Sequence, residues 1–237
     1  SSRIATLVAL DQVAVWTQPL ERALEYAQQA STRGTLSGDL GMACYACNHV
    51  VSDLLAMGTA LPLVEETAEY GIALTKSIGY VDIELIIEAQ LDFATTLTRG
   101  IAPGGLASWI AACNARAEGA TSLPTKFWAW LYAGLASAFQ QRWDCAADFL
   151  AQAKAFVATA LAHINVADCH LYHALAFSRS SQGERAGVLD LLHAQCRRFA
   201  TWAGYNPRTF RNKLLLLQGE LARVNGDPLE ALRHFDE

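Results

Sequence analysis

Apolar residues recur three and four positions apart along almost the whole chain, with polar residues filling the positions between them. That is the period of a helix buried along one face. The pattern predicts helices near residues 4–16, 19–33, 39–57, 62–78, 82–98, 105–117, 125–141, 143–161, 165–180, 184–203, 207–224 and 228–237. Runs rich in Gly and Pro separate them at 34–38, 58–62, 100–105, 119–124, 183 and 204–207. Asp39, Asp144 and Asp227 suit helix N-caps, where a carboxylate accepts from free backbone N–H groups. Pro62 and Pro228 suit the first turn, where a missing N–H costs nothing. Alternating Val, Ile or Thr with polar residues is almost absent, so no strand is expected.

Two helix pairs share one internal spacing. Trp130 and Gly134 are followed by Ala146, Leu150 and Ala153; Leu215 and Gly219 are followed by Ala231 and Phe235. In each, a small residue on the first helix precedes an alanine on the second by 12 positions. Small side chains let two helices cross closely, so these alanines should sit at the crossings. Weaker echoes fall at Ala23, Val64, Ala107 and Ala186, giving a period of about 40 residues, in the range of helical repeats. A hairpin that is apolar on both broad sides must stack on neighbours. The expectation is an all-α chain, a TPR-like α-solenoid of five to six antiparallel hairpins, with residues 1–237 forming a single repeat domain.

Composition narrows the class. Hydrophobic residues make up 52% and charged ones 17%, the reverse of a disordered chain. Alanine, the strongest helix former, accounts for 42 of the 237 residues. No apolar run reaches the roughly 18 uncharged residues that a membrane span needs. The net charge of −5 and the small basic groups Arg197-Arg198 and Arg208, Arg211 and Lys213 argue against nucleic acid as a direct partner. Six scattered cysteines, most of them in apolar helical stretches, read as small buried thiols in a reducing, cytoplasmic setting.

The stretch YNPRTFRNKLLLLQGELARVNGDPLEALRHFDE resembles the helical repeat region of large bacterial signalling proteins, through Pro207, Phe210, Lys213, Glu220, Ala222, Arg223, Gly226, Ala231 and Phe235. LYHALA (171–176), WTQPL (16–20) and GDLGMACYA from Gly38 match in the same order. Proteins of that kind join a Ser/Thr-kinase-like domain, an AAA-type (STAND) ATPase, TPR-like repeats, a GAF sensor and often a histidine kinase. The resemblance covers most of the chain but lies in packing motifs, and it fits 101–123 poorly. It therefore implies a scaffold and not a chemistry. The chain contains no kinase Gly-rich loop, His-Arg-Asp or Asp-Phe-Gly, and no phosphate-binding Gly-x-x-x-x-Gly-Lys-Ser/Thr. The last helix has no Gly, Asn or Pro to stop it, so the chain reads as part of a longer polypeptide.

Candidate chemistry is sparse. In CYACNH, Cys44 and Cys47 share a helix face with the spacing of half a zinc site, but no second pair lies near in sequence, and packing thiols fit better. His170 and His173, three apart beside Tyr172, could bind metal or move a proton, yet they lack a carboxylate at zincin spacing. Ser178, Ser180 and Ser181 have no nucleophile elbow, and Glu65-Glu66 and Glu84/Glu88 read as solvated helix faces. No catalytic, cofactor-binding or metal residues are expected. Trp130 and Trp143 should bury at a crossing, whereas Trp128 points elsewhere and could anchor a partner in a concave groove. Glu220 and Arg223, with Lys213 two turns earlier, could pair within their helix or brace a neighbouring hairpin.

The expected function is a non-catalytic interaction scaffold, acting on a protein partner or on sibling domains of the same chain. The candidate surface is Trp128, Tyr172, His173, Trp202, Lys213, Glu220 and Arg223. An alternative is a small-molecule-sensing domain with a pocket between hairpins, at Tyr172, His173 and Trp202. A third is a helical enzyme using His170 or His173. An apolar face left open on the last helix would favour weak self-association.

Overall fold

The computed structural model describes residues 2–101 and 105–236. Part of the expected break at 100–105 and the final residue, Glu237, lie outside that description. The described residues are all helical, without strands. The twelve helices are α1 Ser2–Thr17, α2 Leu20–Ser37, α3 Leu40–Ala56, α4 Leu61–Ile78, α5 Val81–Arg99, α6 Gly105–Gly119, α7 Leu123–Phe139, α8 Trp143–Phe156, α9 Asn165–Arg179, α10 Arg185–Tyr205, α11 Pro207–Asn225 and α12 Pro228–Asp236.

The expected crossings are where helices meet. Ala146 and Ala231 are both buried. A Cβ placed on Gly134 would lie 2.5 Å from Leu150 Cγ, and one on Gly219 would run into the Phe235 ring. A third crossing repeats the geometry between α4 and α5: a Cβ on Gly71 would come within 2.9 Å of Ile87 Cδ1. Its spacing is less legible, because isoleucines at 83 and 87 replace the alanine and leucine that follow Gly134. Trp130 and Trp143 are only half-buried: Trp130 stacks on Phe149 at 5.7 Å, and the Arg179 guanidinium lies 5.0 Å from the Trp143 ring.

Odd-numbered helices form an inner layer. From α3 onward they begin at 40, 81, 123, 165 and 207, spaced forty-one or forty-two residues apart. Contacts between successive inner helices keep that register. Near the helix starts, Thr125 Oγ1 donates to Asp82 at 3.2 Å. Gln90 and Tyr132 meet in the middle, and Gln140 Nε2 donates to the Thr96 carbonyl at the far end at 3.3 Å. Thus α5 and α7 run in the same direction, and α6 makes the return between them. The poor fit of 101–123 has its counterpart here. α6 packs on α7 and reaches α5 through Arg116 and Asp92, at 3.2 Å, while α5 and α7 pack directly on each other.

Capping followed expectation in part. Asp227 accepts from the Glu230 N–H at 3.0 Å, as an N-cap should. Asp39 occupies the N-cap of α3 but makes no side-chain cap bond. Asp144 is not a cap, because α8 begins earlier, with Arg142 before it. Its carboxylate instead holds the turn after α9, accepting from Ser181 N–H at 2.7 Å and Ser181 Oγ at 2.8 Å. The predicted helix 143–161 ends at Phe156 and passes through a short 3-10 turn at Val157–Thr159. Alanines favour continuing it, but tertiary burial wins: the following loop turns inward to bury Ala160 and Ile164.

The sequence pattern did not show that the first inner helix meets the last. Asn206 caps α11 by accepting from Thr209 N–H at 3.3 Å, and its Nδ2 donates to the carbonyls of Gln18 (2.7 Å) and Val15 (3.4 Å). One amide therefore serves both the start of α11 and the exposed carbonyls at the end of α1. Trp16 packs beside Trp202 (5.1 Å) and Phe210 (5.5 Å), and Arg208 pairs with Glu21. The odd-numbered helices therefore lie around a common axis.

Candidate functional site

Two features lie on that axis: a buried polar core and, next to it, a cavity. The core draws residues from α1, α3, α5, α7 and the start of α9. Gln90 of α5 donates to Asn48 Oδ1 (2.8 Å) and Ser52 Oγ (2.9 Å) of α3. Asn165 at the start of α9 accepts from Trp128 Nε1 (3.1 Å) and donates to the Tyr132 hydroxyl (3.1 Å). Asp11 of α1 holds His49 Nδ1 through a very short hydrogen bond. The loop before α9 enters here: Trp16 Nε1 donates to the Ala162 carbonyl at 3.0 Å, and the His163 ring lies 4.7 Å from Trp128 and 4.8 Å from His49.

Burial sets the protonation states. Burial first, and then the adjacent Asp11, push the Asp53 carboxyl up to about 9, so it is neutral at pH 7. Burial and the nearby His49 push His163 down to about 3, so its ring is neutral as well. Hydrogen-bond capacity is left over: Asp11 Oδ1, Asn48 Nδ2, His49 Nε2, Asp53 Oδ2 and Gln90 Oε1 are buried without a protein partner. The void beside Asp11, His49, Asp53 and His163 measures only about 10 Å³. That is barely room for one water molecule. The Asp11–His49 pair is an acid–base couple in form, but this space admits no substrate, and its role here is to join α1 to α3.

The cavity is larger, about 200 Å³, and α3, α5, α7, α9 and α11 all contribute to its wall. Its wall is mostly apolar, with Phe93, Leu135, Phe139, Leu171, Tyr172 and Leu216. Two half-buried charges face it, Asp168 of α9 and Lys213 of α11. It continues past Ala56, Asn212 and Lys213 into a mouth of about 250 Å³ bordered by Glu21 and Arg208. On the outside, a separate groove of about 570 Å³ runs between α1, the 161–162 loop, α9 and α10. Trp16, Val13, Leu161, His170, Arg198 and Trp202 line it. Arg198 rests on the His170 ring, 2.6 Å from Nδ1, and near the Trp202 face. Burial and the Arg198 charge push His170 down to about 4.

The residues singled out in the sequence do not form one surface. Trp128 is 2% exposed and committed to Asn165, so its ring is closed to a partner; it points elsewhere than Trp130, as expected, but into the axis. Tyr172 and Lys213 line the axial cavity, and Trp202 lines the outer groove. His173 lines neither: it stacks on Phe177 at 6.3 Å, and burial pushes it down to about 4. Neither of these two cavities brings Tyr172, His173 and Trp202 together. Glu220 is fully buried, not exposed. It braces the preceding hairpin as well as its own helix, accepting from Arg179 (2.9 Å), Ser178 (2.6 Å) and Arg223 (2.7 Å). Burial alone would raise its pKa; the bonds from Arg223, Arg179 and Ser178 reverse this and hold it near 2.

Cys44 and Cys47 are buried, and Cys47 Sγ lies 3.2 Å from Ser31 Oγ. Among the described residues no three His, Cys, Asp or Glu side chains group as a metal site. No described helix is long and apolar enough to cross a membrane.

The polar core was missed in the sequence, although a signal was there. Asn48, Gln90 and Tyr132 stand 42 residues apart at each step, as polar residues on otherwise apolar faces. No family model, curated protein or solved structure matches the chain.

Proposed function

We propose that the chain is a TPR-like α-solenoid of six helical hairpins, wrapped into one closed turn, that acts as a non-catalytic interaction scaffold in a bacterial signalling ATPase or kinase. The inner-helix register, with hydrogen-bonded partners 41 to 43 residues apart, supports the repeat reading. The single observation that carries the interaction role is the open groove at Trp16, His170, Arg198 and Trp202. Aromatic walls with an arginine are the usual anchors of protein recognition. Among the described residues Arg198 pairs with no carboxylate; its partners are His170 and Gln195. It therefore suits an acidic, partly aliphatic segment of a sibling domain. A ligand that binds one state of the array better would shift its pitch and pass the change on.

Calorimetric titration of the purified chain with the other domains of its own polypeptide tests this. At least one domain should bind, and Arg198→Glu should weaken it at least tenfold without loss of helicity. Absence of binding by every such domain, or binding indifferent to Arg198, contradicts the scaffold role. The axial cavity favours a second reading, in which the array is a small-molecule-sensing domain of a STAND-type regulator.

A further inference from the structure

We propose that the axial cavity binds a small zwitterion, an α-amino acid with an apolar side chain, between Asp168 and Lys213. This rests on the sensing reading and names its ligand class. Both residues line one cavity, on neighbouring inner helices; their charges interact, but among the described residues neither is held by an ion pair or by a hydrogen bond from another side chain. Two opposite charges facing a largely apolar space without touching are costly unless something bridges them. A lone anion would satisfy Lys213 and leave Asp168 bare; a lone cation would do the reverse. A molecule carrying an ammonium and a carboxylate on one carbon answers both.

The surroundings fix an orientation. Lys213 stands where the cavity opens into its mouth, beside Asn212, and Asp168 lies deeper, with Asn165 and Tyr132 in the same wall. The carboxylate would face the mouth and the ammonium would face inward. Phe93, Phe139, Leu171, Tyr172 and Leu216 would then surround the side chain. About 200 Å³ is below the usual range for drug-sized ligands, so the occupant is of amino-acid size. Burial raises the Asp168 pKa and Lys213 opposes the rise, so a bound ammonium would further favour the carboxylate.

Thermal unfolding and calorimetry of the whole chain with leucine, phenylalanine, their amides and the matching acids without an amino group provide the test. A ligand that binds only the folded form raises the melting temperature. At least one of the two amino acids should do so, with its amide and its des-amino acid at least tenfold weaker. Asp168→Asn and Lys213→Met should each reduce affinity at least tenfold. Leu216→Phe, which fills the cavity with both charges in place, should abolish binding and covers the case in which a charge variant fails to fold. Equal binding by the des-amino acid, lost in Lys213→Met, overturns the zwitterion and leaves the sensing reading standing. Amino-acid binding that survives both the charge variants and Leu216→Phe overturns this site. No response to any of the three compound classes overturns both the site and the sensing reading.

Discussion

Glu220 and Asp53 are both carboxyl groups sealed within inner helices, and they hold opposite charge states. Glu220 receives hydrogen bonds from Arg179, Arg223 and Ser178 and is ionised, with its pKa held near 2. Asp53 sits beside another carboxyl, has Oδ2 without a partner, and stays protonated with a pKa of about 9. Burial is common to both, so the donors that surround each group decide its charge. Towards the C-terminus, α9 and α11 are joined by a satisfied ion triad. The axial core joins α1 to α3 through Asp11 and His49 and leaves buried polar atoms without a protein partner.

The largest effect should follow from breaking the satisfied side. Glu220→Ala leaves Arg179 and Arg223 facing each other with no carboxylate between them. Removing one partner of a buried pair costs about 3–5 kcal/mol; both arginines are partly solvated here, so a loss of about 3 kcal/mol is expected from urea unfolding. A loss below about 1 kcal/mol would mean the triad is no tighter than a surface pair.

The pH profile should separate the two regions next. Asp53 has a folded pKa raised from 3.8 to about 9, so its favourable contribution is complete below 3.8 and is lost as pH rises towards 9. From pH 7 to 9 the protein should lose roughly 2 kcal/mol, and Asp53→Asn should flatten that loss. Glu220 works the other way, its contribution being lost as pH falls from 4.5 towards 2. His163 adds to the acid side: its folded pKa is about 3 against an ordinary 6.5, so stability falls as pH drops through that interval. An unchanged alkaline limb in Asp53→Asn would place the ionised form in the core.

The smallest effect should come from an exposed pair that resembles the triad only on paper. Arg99→Ala removes the bond to Glu65 at 3.1 Å from a largely exposed arginine. It should change stability by no more than about 0.5 kcal/mol in the same urea assay.

The helices and two of their crossings were legible because Gly134, Ala146 and Leu150, and Gly219, Ala231 and Phe235, are local spacings on adjacent helices. The axial core was not, because Asp11, His49, Gln90, Tyr132 and Asn165 come from five elements, and their meeting depends on how distant helices pack. Trp128 was misplaced for the same reason. Periodicity put it off the Trp130 face but could not say whether that other face meets solvent or the axis. The end of α8 at Phe156 was hidden by a run of alanines that suit a helix on either side of it. Closure of α1 onto α11 joins residues 187 to 191 apart, beyond the reach of any local pattern.

That closure joins the two ends of the fold, and a double-mutant cycle on Trp16 and Phe210 tests it most directly. The rings lie 5.5 Å apart across the seam between the first and last inner helices. With Trp16→Leu, Phe210→Leu and the double variant compared by urea unfolding, a coupling of about 0.5–1.5 kcal/mol is predicted. Strict additivity of the two losses would show that the two helices do not meet.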